Sequence, residues 1–136
     1  MENDNKIITA NGFQLVDSSG KVRALLTATE NGVNLSFSDK TGKPQLKLAT
    51  EDGLSEFTMY DETGKEKVGI SLDDKGTHVH LAGAGKQETY LFLKNSGASG
   101  LVLTDTEGNR RIEAKLGPDG EPKVTIFPVN QEERSL

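Results

Sequence analysis

Residues Phe13-Gln14-Leu15-Val16-Asp17-Ser18-Ser19-Gly20-Lys21-Val22-Arg23-Ala24-Leu25-Leu26 set the pattern for the whole chain. An alternating apolar run leads into Asp-x-x-Gly-Lys, and a second alternating run leads out. The arrangement returns at residues 35–48, 57–72, 79–93 and 101–116. Leu15, Phe37, Met59, Leu81 and Leu103 stand 22 positions apart. Asp17, Asp39, Asp61 and Asp105 keep that step, with Gly83 in the fourth copy. Gly20, Gly42, Gly64 and Gly108 do the same, and the fourth copy reaches Gly85 one residue early. A fixed period of this length is the mark of a repeat architecture, in which each copy is one supersecondary unit.

Two runs occur per copy. The first holds Phe13/Leu15, Leu35/Phe37, Phe57/Met59, Val79/Leu81 or Leu101/Leu103. The second holds Ala24/Leu26, Leu46/Leu48, Val68/Ile70/Leu72, Leu91/Leu93 or Ile112/Ala114/Leu116. Polar residues fill most positions between them. A period of two predicts half-buried strands. Asp at the first turn position bonds its own backbone, and Gly three later takes the left-handed conformation of a type I turn with a G1 bulge. Links such as Thr29-Glu30-Asn31-Gly32 and Asp73-Asp74-Lys75-Gly76 also read as hairpin turns. The expected fold is all-β: an antiparallel up-and-down meander of tandem β-hairpin repeats, about 11–12 short strands.

The ends suggest how the sheet finishes. Residues 6–12 read as the second strand of an otherwise missing copy, and 123–127 as the first strand of a sixth. Both are expected edge strands, whose unpaired backbone groups invite pairing. Joined within one chain, they give a flattened barrel or sandwich; joined between chains, an oligomer. Residues 1–130 are expected to form one domain and 131–136 a frayed polar tail.

Composition narrows the class of function. The chain has 136 residues, 33% apolar and 5% aromatic, with no Cys and no Trp. Its net charge is −5 with both signs interspersed, so no basic block displaces counterions and no nucleic-acid partner is expected. No run approaches the ~20 apolar residues of a membrane span. The N-terminal residues lack the apolar core of a signal peptide. A cytoplasmic location is the default expectation, and an exported fragment is equally compatible.

Candidate chemistry is sparse. His78 and His80 share one side of a strand, as a pair of metal ligands would, yet two ligands are too few for a site. A solvated outer face is the better account of the pair. The repeated Asp residues resemble calcium ligands, but each turn offers a single carboxylate, and turn stabilisation explains them better. Leu81-Ala82-Gly83-Ala84-Gly85-Lys86 lacks the spacing and following helix of a phosphate loop. No Gly-x-Ser-x-Gly element occurs. No catalytic residue, cofactor or metal is therefore expected. If Leu91 and Leu93 face inward, Tyr90 and Phe92 face outward beside His78, His80 and Val102. Those five form the candidate partner-contact patch, since exposed aromatic clusters mark interaction sites.

The repeat GLxLxDxxGKxRxxL resembles the tandem β-hairpin repeats of uncharacterised bacterial proteins over roughly residues 7–127. Met59-Tyr60-Asp61-Glu62-Thr63-Gly64-Lys65 is also similar to a YD repeat of the sheets that wrap secreted toxins. Val16, Ser38, Ala82 and Thr104 stand where that Tyr would be in the other copies. These resemblances imply scaffolding, encapsulation or surface attachment, and bring no catalytic residues. The expected function is a non-enzymatic structural or protein-interaction module that contacts itself or a protein partner. A barrel carrying a small apolar ligand is the alternative, motivated by the interior that so many strands would enclose.

Overall fold

Asp17, Asp39 and Asp61 each close their turn with the same set of bonds. In the second copy, Asp39 Oδ1 accepts from the Thr41 backbone N–H at 2.7 Å, the Thr41 hydroxyl at 2.7 Å and the Lys43 N–H at 3.0 Å. Gly42 N–H donates to the Asp39 carbonyl, and Asp39 N–H to the Lys43 carbonyl. Gly20, Gly42, Gly64 and Gly108 close their turns with φ between 79° and 93°, a region that L side chains enter at a cost. The pairing register slips at Leu15/Val16, Phe37/Ser38 and Met59/Tyr60, so a bulge follows the turn, as the Asp/Gly spacing predicts.

The chain is described here by a computed structural model, for residues 7–129 and 134–135. The turns connect β1 (Gly12–Val16), β2 (Val22–Thr29), β3 (Gly32–Ser38), β4 (Pro44–Glu51), β5 (Leu54–Tyr60) and β6 (Glu66–Asp73). They continue through β7 (Gly76–Ala82), β8 (Glu88–Lys94), β9 (Ser99–Thr104), β10 (Arg110–Leu116) and β11 (Pro122–Ile126) to the two-residue β12 (Arg134–Ser135). All pair in chain order within one antiparallel sheet. Asp-type turns lie at one end of the sheet. At the other end, tight links join β2–β3, β4–β5 and β6–β7, where Thr29 pairs with Gly32, Glu51 with Leu54 and Asp73 with Gly76, and longer turns closed by Gly97 and Gly120 join β8–β9 and β10–β11.

Register sorts the side chains by face. Phe13 opposes Leu26, Leu26 opposes Leu35, Leu35 opposes Leu48, Leu48 opposes Phe57, and Phe57 opposes Ile70. The row continues through Val79, Leu91, Leu101 and Ala114 to Val124. Every apolar pair read from the sequence falls on this one face.

Burial does not follow that expectation. Leu48 and Ile70 are each 42% exposed and Leu91 is 39% exposed, because no second layer covers the apolar face. The buried side chains lie mostly on the opposite face: Ala49, Thr58, Phe92, Val102, Glu113 and Thr125. Neighbours shield them. Lys47 opposes Thr58 and Ala49 opposes Glu56, so the 2.5 Å Lys47–Glu56 ion pair runs across the diagonal above Ala49 and Thr58. Long charged side chains thus cover short ones by their stems.

Two expectations about the ends are corrected. Of residues 6–12, Ile7–Asn11 form no strand and Lys6 lies outside the described residues; the sheet begins at Gly12. Among the described residues no strand lies beyond β1 on that side, so a strand over Ile7–Asn11 would lack the second neighbour that stabilises short strands. Of residues 123–127, those up to Ile126 belong to β11, which is no edge: it pairs with β10 and, through Thr125 and Ile126, with β12. That pairing places Arg134 and Ser135 of the expected frayed tail in the sheet, while 131–133 and 136 lie outside the described residues. Closure within the chain is not seen among the described residues. β1 pairs only β2, so the described sheet is open rather than a flattened barrel. The described strands enclose no interior of the kind that motivates a ligand carrier.

Candidate functional site

The patch predicted from alternation gathers on the polar face. His78 stands opposite Phe92 and His80 opposite Tyr90, while Val102 stands opposite Tyr90 on the next strand. Leu91 and Leu93 point the other way, onto the apolar face. Strand parity therefore brings together all five residues named from the sequence.

Their exposure departs from expectation. Phe92 is 6% exposed and Val102 is 8% exposed, so neither is a free contact surface. Val102 lies between Tyr90 and Glu113 on its two neighbouring strands, and for Phe92 the reason is Gly100. It faces Phe92 directly, and the Phe92 ring occupies the space where a side chain would stand: a Cβ at Gly100 would meet Phe92 Cζ at 2.6 Å. Tyr90 stacks on Phe92 with ring centres 5.7 Å apart, and His78 on Tyr90 at 5.9 Å and 9°. The Lys94 ammonium sits 5.5 Å from the Phe92 ring centre, a favourable cation–π position.

Both histidines are occupied within the sheet. His78 Nε2 lies 3.3 Å from Asp73 Oδ1 and Nδ1 lies 2.5 Å from the Tyr90 hydroxyl. Both ring nitrogens of His78 thus have a partner within the sheet, the Asp73 carboxylate on one side and the Tyr90 hydroxyl on the other. Burial, then the charges of Asp73 and Glu88, raise the Tyr90 phenol above its ordinary value. His80 lies 3.6 Å from Glu66 and 3.4 Å from Glu88. Among the described residues, no group of three or more His, Cys, Asp or Glu is placed to hold a metal ion.

Beyond the aromatic stack, Glu113 is buried and bonded by Arg110 and by Lys115, the latter at 2.7 Å. The Lys115 hydrogen bond is the main reason its carboxyl sits below the usual range, with the charges of Lys115, Arg110 and Lys123 adding to it. A groove of about 530 Å³ runs past Lys94, Arg110, Glu113 and Lys123. Arg110 and Lys115 are committed to Glu113 and Lys94 lies over the Phe92 ring, while Asp119, Glu121 and Lys123 also line the groove.

Sequence reading missed what the turn lysines do. Lys21 Nζ donates to the Lys40 carbonyl at 3.1 Å, Lys43 to Glu62 at 3.2 Å and Lys65 to Gly85 at 2.7 Å. Each Gly-Lys thus ties its own turn to the next one along the sheet edge. The signal was present as a cation at a fixed place in three successive copies. A second cation, six residues after the Asp, pairs with the free carboxylate oxygen in alternate copies: Arg23 with Asp17, Lys67 with Asp61 and Arg111 with Asp105. The carboxylates of Asp17, Asp61 and Asp105 thus find partners for both oxygens within their own hairpins.

The apolar face is the other candidate surface. Its ladder positions hold Phe, Leu, Ile, Val, Met, Ala and Pro, with Thr50, Ser55, Thr77, Thr89 and Ser99 among them. No Asp, Glu, Lys or Arg occupies one. A shallow open groove of about 500 Å³ crosses its centre, floored by Leu35, Leu48, Phe57 and Ile70. Among the described residues, no helix is long and apolar enough to cross a membrane.

No protein-family model matches the chain, and no curated protein matches it.

Proposed function

We propose that this chain is a non-enzymatic structural and protein-interaction module whose contact surface is the apolar face of its sheet. One observation carries this: a charge-free, predominantly apolar face, running from β1 to β11, that no other described part of the chain covers. The largest apolar patch of a typical monomer is about 300–600 Å². With β1 to β11 spaced at ~4.8 Å and three ladder positions per strand, this face measures roughly 900 Å². The resemblance to tandem hairpin repeats and wrapping sheets supports the same role, since scaffolding needs a surface and no reactive group. The candidate patch around His78, His80, Tyr90, Phe92 and Val102 is a stabilising stack in this proposal, with Tyr90 and His80 at its accessible rim.

Immobilised wild-type chain is expected to retain protein, a further copy of itself or another species, and the Ile70→Lys chain to lose it. Equal retention by the two would move the contact off this face and remove the proposal.

A further inference from the structure

We infer that the occupant of the apolar face is a second copy of the same chain, laid face to face as a two-layer sandwich. The inference rests on the module reading and names its partner.

Area is the first argument. A stable interface buries about 800 Å² on each partner. The face offers roughly 900 Å² by strand spacing and ladder height, so one copy is sufficient to cover it. Shape is the second. All sheets of L-residues twist in the same hand, and two such sheets pack about 10 Å apart with strands near −30°. A second copy presents that matching twist over its whole width, which a helix or a short peptide does not. Charge is the third. Each chain carries −5, yet the charged side chains stand on the polar face and the turns. Two apolar faces therefore meet without opposing like charges, and both sets of carboxylates and ammoniums stay in water. An anionic lipid surface, by contrast, calls for a basic rim, and the net charge has the wrong sign.

Symmetry supplies a specific geometry. A face-to-face dimer is isologous, with its two-fold axis between the layers. Whether that axis runs along the strands or across them, the middle strand β6 lies over β6 of the other copy. Val68, Ile70 and Leu72 then form the centre of the interface, and Leu48 and Leu91 flank it.

The test uses the full chain in sedimentation equilibrium and in thiol crosslinking. The wild type is expected to have the mass of two chains, and Ile70→Lys and Leu91→Lys the mass of one. Leu48→Thr, which keeps strand propensity, is expected to weaken association at least tenfold with an unchanged far-UV circular dichroism spectrum. Because the chain has no Cys, Ile70→Cys and Ser71→Cys report opposite faces of one strand. A short bis-maleimide is expected to join two Ile70→Cys chains and to leave Ser71→Cys chains single. A dimer that survives the lysine substitutions and crosslinks through Ser71→Cys overturns the inference. So does a wild-type monomer. A wild-type monomer that still captures another protein through the face would leave the module reading standing and remove only its self-partner.

Discussion

The carboxyls of Asp17 and Asp105 are held down to about 2 from an ordinary 3.8. For Asp17 the largest cause is the Ser19 hydroxyl, followed by the Lys21 backbone N–H; for Asp105 it is the Asn109 N–H, with Arg111 adding to it. Asp39, Asp61 and Asp73 are lowered in the same way, the first two chiefly by the hydroxyls of Thr41 and Thr63 and the third by the Lys75 N–H. A carboxyl whose folded value lies below its unfolded value stabilises the fold above the unfolded value. That contribution disappears as pH falls through the folded value. The sheet should therefore lose stability between about pH 4 and pH 2, read as a fall in thermal midpoint across an acid series. The double variant Asp17→Asn/Asp105→Asn is expected to be less stable at neutral pH and to show a shallower acid dependence. An unchanged slope would mean that these turns contribute nothing through their charge.

At the scale of strands, the cross-strand pair sets what the polar face can tolerate. Phe92 covers Gly100, and Val102, Glu113 and Thr125 lie buried along the adjoining row. Removing the ring by Phe92→Ala exposes that backbone and is expected to cost about 3 kcal/mol. Adding a methyl by Gly100→Ala places carbon 2.6 Å from Phe92 Cζ and 2.8 Å from the Ala114 carbonyl, at an expected cost of about 1–3 kcal/mol. The two residues share one space, so the double variant should cost less than the sum of the singles. Urea titration of the four chains closes this cycle, and simple additivity would deny the contact. The turns argue alike at this scale: Asp, Gly and Lys at fixed places close one hairpin and tether the next.

At the scale of the molecule, a single-layer sheet of this width leaves its apolar face uncovered by any other described part of the chain. Half-exposed Leu48, Ile70 and Leu91 leave much of the hydrophobic contribution unrealised in one chain, since that contribution scales with the area removed from water. Covering the face would recover it. Stability then depends on protomer concentration, because a partner that binds only the folded form adds stability by mass action. The thermal midpoint of the wild type should rise across a hundredfold increase in concentration, and that of Ile70→Lys should stay level. A wild-type midpoint independent of concentration would mean that no self-association stabilises the fold in that range.

Much of this was legible in the residues. Period two along each run and period 22 along the chain dictate strands, hairpins, neighbour order and face, because pleat and turn geometry are local. Asp/Gly spacing even located the bulges. Two matters were decided only in three dimensions. Whether the terminal segments meet depends on the path of the whole sheet, and there the expected edges at 6–12 and 123–127 failed. Which face is more buried depends on what lies above it, so Phe92 and Val102 became shielded by a facing glycine and its neighbours. Alternation tells a side chain which way to point; only the assembled neighbours determine whether anything is there to meet it.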